Sequence, residues 1–546
     1  DTDLTQGSNY FYRIKSVSTA GVESDFSQNY SVVIPDSWIV SLTPGPLDQF
    51  GSIQNPYNTI QAAIDQSIND DIVLVSPGTY QENIVINGKV ITITTPDPTV
   101  SAETTIIDGG SSGFPAVSIN GNNVSSDSSL LFSGFTVQNG LSPTFDQGAG
   151  IDVKIFYPTL MLENLIIRDN ISTTDAAGSF LYFTGDVFVS DVIFKNNNGD
   201  SALRAYNSSL KMSRVEFYDN TSSSSLLKAN QSSVINNTII RNNTSLGALD
   251  VDNMIILNST VINSGNQNSF DGNSAIVNTI IGSGQFISSD TGLLKVHNSH
   301  IEDGQNSIDI FPSFLTYENN LEGDIYFTDA ENLDFTLSEY SPAIGAGLNS
   351  ITLYGVTYDL SSNTDLNLSD RPLPQETNID IGAYENSLGI NTHNSNIYVS
   401  VNEGSNEGSV GLETQPFQTI QAAINYAIDG DSIYVLPGTY PGGVSIVNKG
   451  INFISTTPLG AIVNNNVNES YTFTFSSDTG VFYSTITGFD INKTSTDQAY
   501  GVRATNEHYV NVYKSKISNF TYATSTGASA IQAENCLLIN NAIAIY

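Results

Sequence analysis

Six polar side chains stand at matching points of successive chain segments, each directly after a large apolar residue. They are Gln138, Arg168, Lys195, Tyr218, Arg241 and Asn263, and we call them the ladder. Guanidinium and ammonium groups donate hydrogen bonds to carboxylates and hydroxyls, and a tyrosine ring attracts cations. Aligned at the spacing of neighbouring strands, these groups predict a surface that binds an anionic or neutral polysaccharide.

The segments that carry the ladder have a common ending. Eight of them run from a large apolar residue to a final Asn or Gly: Val137–Gly140, Ile167–Asn170, Phe194–Asn197, Phe217–Asn220, Ile240–Asn243, Ile262–Gly265, Ile281–Gly284 and Ile301–Gly304. The apolar position predicts an inward side chain, and Asn and Gly tolerate the left-handed backbone of a sharp turn. The pattern predicts the coils of a solenoid. It equally fits the simpler interpretation that the ladder residues are polar because strand ends are exposed.

A duplicated stretch indicates two building blocks. Residues 56–80 return at 416–440, shifted by 416 − 56 = 360 positions, and each copy has the pattern of an amphipathic helix, a strand and Pro-Gly-Thr-Tyr. In the first copy the helical spacing is carried by Ile60, Ala63, Ile64 and Ile68. This stretch resembles the N-terminal cap and first coil of right-handed parallel β-helices of the pectin-lyase-like superfamily. The resemblance implies an all-β fold of tandem right-handed parallel β-helices, each with a short N-terminal capping helix, preceded by a partial β-sandwich.

Further motifs divide the chain into five expected parts. Residues 7–24 resemble the last strands of a fibronectin type III domain, while Asp370-Arg-Pro and Ile379-Asp-Ile-Gly-Ala-Tyr-Glu resemble the choice-of-anchor Q region of bacterial surface proteins. In order, we expect a partial fibronectin type III-like domain, a first β-helix, an anchor-type region, a linker and an incomplete second β-helix, at residues 1–34, 35–330, 331–386, 387–396 and 397–546.

The anchor-type region has an expected structural role. We expect it to close the C-terminal end of the first β-helix, where Arg371 pairs with a carboxylate and Tyr384 covers apolar surface. No second Asp-Arg-Pro segment follows in the second β-helix. The sequence is therefore expected to be a piece of a longer polypeptide, whose other domains would be its partners.

The family resemblance also raises a catalytic alternative. It implies that a polysaccharide lyase would use Arg or Lys as the base with a cation neutralising the uronate, which makes candidates of Arg168, Lys195, Tyr218 and Arg241. The Gly-His-Gly motif of polygalacturonase-like enzymes and the Arg-x-Pro-x-x-Arg motif of pectate-lyase-like enzymes are absent. Whether the chain is an enzyme is left open, and the missing catalytic motifs favour a non-catalytic role.

The composition limits partners and cofactors. Asp and Glu number 55 against 18 Lys and Arg, so the formal charge of −37 argues against a nucleic-acid partner. A single Cys excludes an internal disulfide, and no apolar run has the length of a membrane span. Asp250 and Asp252 alternate along one strand face and are candidate metal ligands. No cofactor is required by the sequence, and Ca²⁺ is the candidate.

These observations favour a secreted or bacterial cell-surface repeat protein. Its leading expected function is that of a rigid adhesive or spacer module that binds extracellular polysaccharide or surface glycans. The alternatives are a polysaccharide lyase or glycoside hydrolase of the parallel β-helix type, and a structural repeat of an extracellular filament. Clustering of the ladder in a groove with an acidic metal site would favour the enzyme, whereas dispersal over a flat sheet would favour the rod.

Overall fold

The chain folds into two compact units, residues 1–322 with 345–389 and residues 323–344 with 390–546. The computed structural model describes residues 9–13, 15, 27, 30–33, 37–43, 55–97, 102–121, 129–154, 159–182, 185–265, 267–282, 286–322, 324–361, 364–406, 409–465, 470–477, 480–494, 499–527 and 529–545. None of the helices in these ranges combines the length and the apolar character that a bilayer crossing requires.

The first unit is a parallel β-helix, in which each coil of the chain adds strands to several growing sheets. Its 19-stranded sheet contains Ser37–Val40, Ile72–Val75, Gly78–Gln81, Thr92–Thr94, Thr105–Asp108, Ser129–Ser133, Thr136–Gln138, Thr159–Arg168, Asp186–Lys195, Ser209–Tyr218, Ser233–Asn236, Ile239–Arg241, Met254–Leu257, Thr260–Ile262, Ser274–Val277, Ile280–Ile281, Leu294–His297, His300–Ile301 and Leu315–Glu318. Its 10-stranded sheet contains Ile84–Asn87, Val117–Asn120, Ile151–Lys154, Ala176–Tyr182, Ser201–Tyr206, Ser225–Ala229, Gly247–Asp252, Gln267–Asp271, Phe286–Ser288 and Ile308–Asp309. A 4-stranded sheet contains Leu141–Ser142, Ile171–Ser172, Asn198–Gly199 and Thr221–Ser222.

The second unit contains a shorter parallel β-helix built in the same way. A 6-stranded sheet contains Asn396–Val399, Ser432–Val435, Asn452–Ser455, Phe482–Thr487, His508–Tyr513 and Ile531–Glu534. Two 5-stranded sheets contain Gly438–Pro441, Ala461–Asn465, Asp490–Lys493, Lys516–Ser518 and Leu537–Ile539, and Val444–Val447, Tyr471–Ser476, Tyr500–Thr505, Tyr522–Gly527 and Ile543–Ile545. The same unit has an antiparallel pair, Phe327–Asp329 with Asp334–Leu337. Tandem parallel β-helices in a nearly all-β chain were the predicted fold class, and that prediction is confirmed.

Left-handed residues bend the coils within the 19-stranded sheet. The long strand Asp186–Lys195 bends at Asp191, where φ is 57°. In a later coil the same bend, at Asn237 with φ of 47°, separates the strands Ser233–Asn236 and Ile239–Arg241. Asn and Asp adopt this conformation at less cost than other residues with a Cβ, which accounts for their recurrence at this bend. Arg214, with φ of 53°, takes the same position in the coil between them.

The interior of the first β-helix is stacked coil on coil. The rings of Phe194 and Phe217 are 4.7 Å apart and nearly parallel. The predicted Asn turns are buried as well: Asn170 Nδ2 donates to Asn197 Oδ1 at 3.0 Å, and Asn197 Nδ2 donates to Asn220 Oδ1 at 3.0 Å. A buried amide must find partners, and here the equivalent residue of the next coil supplies one.

The predicted capping helix follows the first strand of each β-helix, as Ile60–Gln66 in the first and Ile420–Tyr426 in the second. In both, a threonine hydroxyl accepts the backbone N–H three residues later and so caps the helix. Three residues of the predicted apolar pattern are buried: Ile60, Ala63 and Ile64. Ile68 is 69% exposed instead, because the helix ends before it.

Residues 345–389, which we call the clasp, pack along the outside of the first β-helix. Its hairpin pairs Ser350–Leu353 with Val356–Asp359. Four Asn Nδ2 groups at the strand bends donate to clasp carbonyls over 2.7–3.5 Å: Asn237 to Thr364, Asn258 to Leu360, Asn278 to Leu348 and Asn298 to Ala346. This Asn column holds clasp residues along the side of four coils. The expected closure of the β-helix end by residues 331–386 stays a prediction. Residues 331–344 belong to the second unit.

The clasp encloses a buried cluster of charged side chains. Arg371 Nη1 lies 3.3 Å from Glu385 Oε2 with both side chains fully buried, which confirms the predicted pairing of Arg371 with a carboxylate. Asp365 and Asp380 are buried beside them. Desolvation raises the pKa of Glu385 to about 7 and the pKa of Asp380 to about 6. Tyr384 is half-buried, and its covering role stays a prediction.

The N-terminal residues contribute two antiparallel strands, Asn9–Tyr12 paired with Tyr30–Val33. Strands were expected within residues 7–24, and Asn9–Tyr12 is one. Most of residues 1–34 lie outside the described ranges. The assignment of this stretch to a fibronectin type III-like domain therefore stays a prediction, as do the other expected domain boundaries.

Candidate functional site

The backbone register places five ladder residues in one column. Gln138 pairs with Arg168, Arg168 with Lys195, Lys195 with Tyr218, and Tyr218 with Arg241. Each lies at the end of a strand, one residue after an inward apolar side chain, and points outward because successive side chains alternate across a sheet. The predicted alignment of these five residues is confirmed.

Asn263 lies outside this column. Arg241 pairs with Ile262, so Asn263 is one residue beyond the register of the ladder. The inward position of this coil belongs to Val261, which is almost fully buried, rather than to Ile262 as predicted. Val261 and Ile262 suit the inward position equally well by residue type. The pairing of Ile240 with Val261 shows that Val261 takes it.

The first two ladder residues, Gln138 and Arg168, contact each other and neighbouring carboxylates. Arg168 Nε donates to Gln138 Oε1 at 3.0 Å and lies 3.6 Å from Asp169 Oδ2. Gln138 Nε2 in turn donates to Asp108 Oδ2 at 2.9 Å. The polar groups of this part of the ladder are thus engaged in a chain of contacts along the coils.

The next three ladder residues, Lys195, Tyr218 and Arg241, form cation–π contacts. Arg241 Cζ lies 4.4 Å from the centroid of the Tyr218 ring, and Lys195 Nζ lies 5.7 Å from the same centroid. Arg241 Nη2 is 3.5 Å from Glu216 Oε2, and burial raises the pKa of this carboxyl. The ladder is therefore a single file on one sheet face, with its cations held by neighbours.

The candidate metal ligands Asp250 and Asp252 lie on the outer face of the 10-stranded sheet. Asp252 pairs in register with Asp271, and burial together with the nearby Asp271 and Asp250 charges raises its pKa. Asp271 Oδ1 accepts the backbone N–H groups of Asp290 and Thr291 at 3.0 and 3.2 Å. Among the described residues, no three His, Cys, Asp or Glu side chains are grouped to hold a metal ion.

A groove of about 490 Å³ lies on the outer face of the same sheet, nearer the start of the first β-helix. We call it the tyrosine groove. Its lining combines four aromatic rings, two cations and one carboxylate: Phe145, Asp146, Lys154, Phe180, Tyr182, Arg204 and Tyr206. Ligand sites are concave and largely apolar with a few directed polar groups, and this groove has that composition.

Three successive strands supply the wall of the tyrosine groove. In Ile151–Lys154, Ala176–Tyr182 and Ser201–Tyr206, residues two apart project from the same face. The register therefore generates two adjacent columns, Asp152 with Phe180 and Arg204, and Lys154 with Tyr182 and Tyr206. The loop after Leu141–Ser142 adds Phe145 and Asp146.

The aromatic residues of the groove are stacked from coil to coil. The Tyr182 and Tyr206 rings are 5.7 Å apart with 15° between their planes. Arg204 Cζ lies 5.6 Å from the Phe180 centroid and 5.9 Å from that of Tyr206. Tyr206 and Phe145 are exposed, at 40% and 66%. The groove thus offers aromatic surface to solvent beside a fixed guanidinium.

A fully buried carboxylate holds Arg204 in place. Arg204 Nη1 donates to Asp175 Oδ1 at 2.8 Å and to Oδ2 at 3.0 Å. Asp175 Oδ2 also accepts the backbone N–H of Asp146 at 3.2 Å, which ties the covering loop to the same carboxylate. One buried residue therefore fixes both the cation and the loop of the groove.

A second buried carboxylate supports Lys154. Asp152 Oδ2 lies 3.4 Å from Lys154 Nζ, and Asp152 Oδ1 accepts the backbone N–H of Gly148 at 3.0 Å. Burial raises the pKa of Asp152 above its usual range, against the lowering effect of the Gly148 N–H and of Lys154. Both cations of the groove are thus paired with buried carboxylates.

The sequence analysis missed every residue of the tyrosine groove. A signal was present in Asp152-Val-Lys154, Phe180-Leu-Tyr182 and Arg204-Ala-Tyr206, where polar or aromatic residues flank one small or apolar inward residue. The predicted ladder and turns follow strands of the 19-stranded sheet, whereas the wall of the tyrosine groove lies on the 10-stranded sheet.

Comparisons with known proteins complete the description. The sequence matches no family model and no curated protein. Among solved structures it is similar to the pectate lyase Pel9A, at 14% identity over 64% of this chain and 97% of that one, with a TM-score of 0.37. It is also similar to a rhamnogalacturonan lyase, at 13% identity over 56% and 95% with a TM-score of 0.35. A pectin methylesterase in complex with a hexasaccharide gives 12% identity over 56% and 98%, with a TM-score of 0.27. Similarity at this level concerns the fold and says nothing of the chemistry at the groove.

Proposed function

We propose that the first β-helix binds a glycan chain in the tyrosine groove, as part of a rigid adhesive or spacer module of a secreted or bacterial cell-surface protein. The observation that carries this proposal is the stacked pair of Tyr182 and Tyr206 beside Arg204 in a groove of about 490 Å³. A sugar ring has apolar C–H faces and polar hydroxyl edges. It is therefore matched by aromatic surface next to hydrogen-bond donors.

Binding without catalysis is favoured by how the charged groups are held. Arg204 and Lys154 lie against carboxylates, so they are placed to donate hydrogen bonds rather than to take a proton from a substrate. Asp175 and Asp152 are buried and are not among the residues that line the groove. Among the described residues that line the groove, no exposed acid and base pair is present, and a lyase or a hydrolase would need such a pair around the bound chain.

Affinity electrophoresis in gels that contain neutral or acidic polysaccharides tests this function. We expect the wild-type protein to be retarded by at least one glycan. We expect Tyr206→Ala to weaken that retardation about tenfold, because it removes an exposed ring from the groove lining. Tyr509→Ala is the matched control, since Tyr509 stacks on Tyr483 at 5.3 Å in the second β-helix. It should leave the retardation unchanged.

Two results would contradict the proposal. Wild-type protein that no glycan in the panel retards would remove glycan binding altogether. Equal losses in Tyr206→Ala and Tyr509→Ala would move binding away from the tyrosine groove. Fluorescence of Trp38, the single tryptophan, checks that the first unit remains folded in each variant.

A further inference from the structure

The fixed charges of the tyrosine groove cancel almost completely. Lys154 and Arg204 contribute two positive charges, and their partners Asp152 and Asp175 contribute two negative charges at 3.4 and 2.8 Å. Asp146, on the covering loop, is exposed and adds one more negative charge. The groove is therefore slightly negative, within a chain whose formal charge is −37.

Hydrogen-bond donors nevertheless remain available in the groove. Both hydrogen bonds from Arg204 to Asp175 use Nη1, so Nε and Nη2 make no hydrogen bond to the described part of the chain. The hydroxyls of Tyr182 and Tyr206 likewise bond to none of the described residues, and the Asp146 carboxylate faces the same space as an acceptor. These groups can exchange hydrogen bonds with ligand hydroxyls without any change of net charge.

A ligand that carries a carboxylate would be repelled in the tyrosine groove. Its nearest cations already lie against buried anions, and those anions cannot move away because they accept backbone N–H groups of Gly148, Asp146 and Ala176. Like charges brought together repel, and the repulsion is strongest where burial reduces screening by salt. Hydroxyls carry no such penalty.

We infer that the ligand of the tyrosine groove is a neutral hexose-based polysaccharide and that uronic acid chains are discriminated against. This inference rests on the proposed glycan-binding function and adds the chemical class of the ligand. Discrimination of this kind comes from unfavourable electrostatics against the wrong ligand as well as from contacts to the right one. Asp146 sets how strongly acidic ligands are discriminated against, because the Asp146 carboxylate lacks a cationic partner among the described residues.

Titration calorimetry with matched pairs of hexasaccharides tests the ligand class. The neutral probes are hexasaccharides of glucose, mannose and galactose, and the acidic probes are the corresponding glucuronate, mannuronate and galacturonate hexasaccharides. We expect at least one neutral probe to bind and its acidic counterpart to bind about tenfold more weakly at low salt. The difference in affinity between the neutral and the acidic probe should be smaller in high salt, because screening weakens the repulsion.

Asp146→Asn is the diagnostic variant. Asp146 has φ of 56°, and Asn is the uncharged residue that best tolerates this conformation, so the loop should keep its shape. We expect the variant to bind the acidic probe several-fold more tightly, with a smaller change for the neutral probe. Asp186→Asn, at an exposed residue outside the groove lining, is the control and should leave both affinities unchanged.

The possible outcomes separate the ligand class from the function itself. Equal or tighter binding of the acidic probe in wild-type protein would overturn the inference while leaving glycan binding in place. An unchanged gap in Asp146→Asn would remove the assigned role of Asp146. Failure of both series to bind would overturn the proposed function as well.

Discussion

The ladder and the tyrosine groove use the same residue types on two sheets of one β-helix, with different consequences. In the ladder, Arg168 and Arg241 lie near Asp169 and Glu216, whose side chains are partly exposed. In the groove, the carboxylates that hold Arg204 and Lys154 are buried, with side-chain exposures of 0% and 3%. The ladder is one column wide, whereas the groove has two columns and a loop across them.

The difference shows what turns a repeated column of cations into a site. In a single file, the neighbours along the coils, about 4.8 Å away, satisfy each side chain. Two adjacent columns under a loop enclose space that protein atoms do not fill. A buried carboxylate then fixes the cation in that space and lowers the entropy lost when a ligand binds. Burial of the carboxylate that pairs with each cation is therefore what separates the tyrosine groove from the ladder.

Removing the cation from each region should give the largest contrast. Arg204→Ala leaves Asp175 buried without its cation, which we expect to lower the free energy of unfolding by about 3 kcal/mol. Arg168→Ala removes a partly exposed side chain with a 3.6 Å ion pair and should cost about 0.5 kcal/mol. Urea unfolding followed by Trp38 fluorescence measures both values in the first unit. Equal costs would mean that burial of the carboxylate does not distinguish the two regions.

Much of the fold follows from local sequence signals. The inward apolar residues and the Asn turns predict the coils because each coil must bury one face and turn sharply with its backbone groups satisfied. The capping helices follow from apolar spacing and a threonine N-cap. The side-on position of the clasp did not follow. The Asn residues that hold it, such as Asn258 and Asn278, have the composition of any turn and reveal their role only through long-range contacts.

The cavity of the tyrosine groove could not be predicted from the sequence for a related physical reason, although its wall strands carry a local signal. Its cavity depends on how the loop that carries Phe145 and Asp146 folds over strands from later coils, and on which column lies beside which. The register at Val261 shows the same limit, since a choice between two adjacent apolar residues moved Asn263 out of the ladder. Packing across coils decides such choices, and local composition does not.

The charged cluster of the clasp contains three buried carboxylates, Asp365, Asp380 and Glu385. Because desolvation raises the pKa of Glu385 to about 7 and of Asp380 to about 6, the folded chain holds these protons more tightly than the unfolded chain does. The stability from these groups is fully present below the usual carboxyl range and is lost as pH rises through about 6 to 7. We expect the urea midpoint of the first unit to fall between pH 5 and pH 8.

A substitution within the clasp identifies the source of this pH dependence. Glu385→Gln cannot ionise, so the fall of the urea midpoint between pH 5 and pH 8 should be smaller in this variant than in wild-type protein. Asp186→Asn changes an exposed side chain, and the urea midpoint of this variant should fall as much as that of the wild-type protein. A wild-type midpoint that stays level or rises over this range would show that the buried cluster carries no excess proton.

The smallest expected effect tests whether the ladder is structural alone. Tyr218→Leu keeps apolar bulk but removes the ring that Arg241 and Lys195 approach at 4.4 and 5.7 Å. A cation–π contact at a partly exposed position contributes about 0.5–1 kcal/mol, so the free energy of unfolding should fall by that amount. Glycan retardation should stay at the wild-type level, because Tyr218 does not line the tyrosine groove. If Tyr218→Leu instead weakened retardation as much as Tyr206→Ala does, the predicted ligand-binding role of the ladder would be supported. Burial of the carboxylate partner would then not be what separates a binding site from a column of cations.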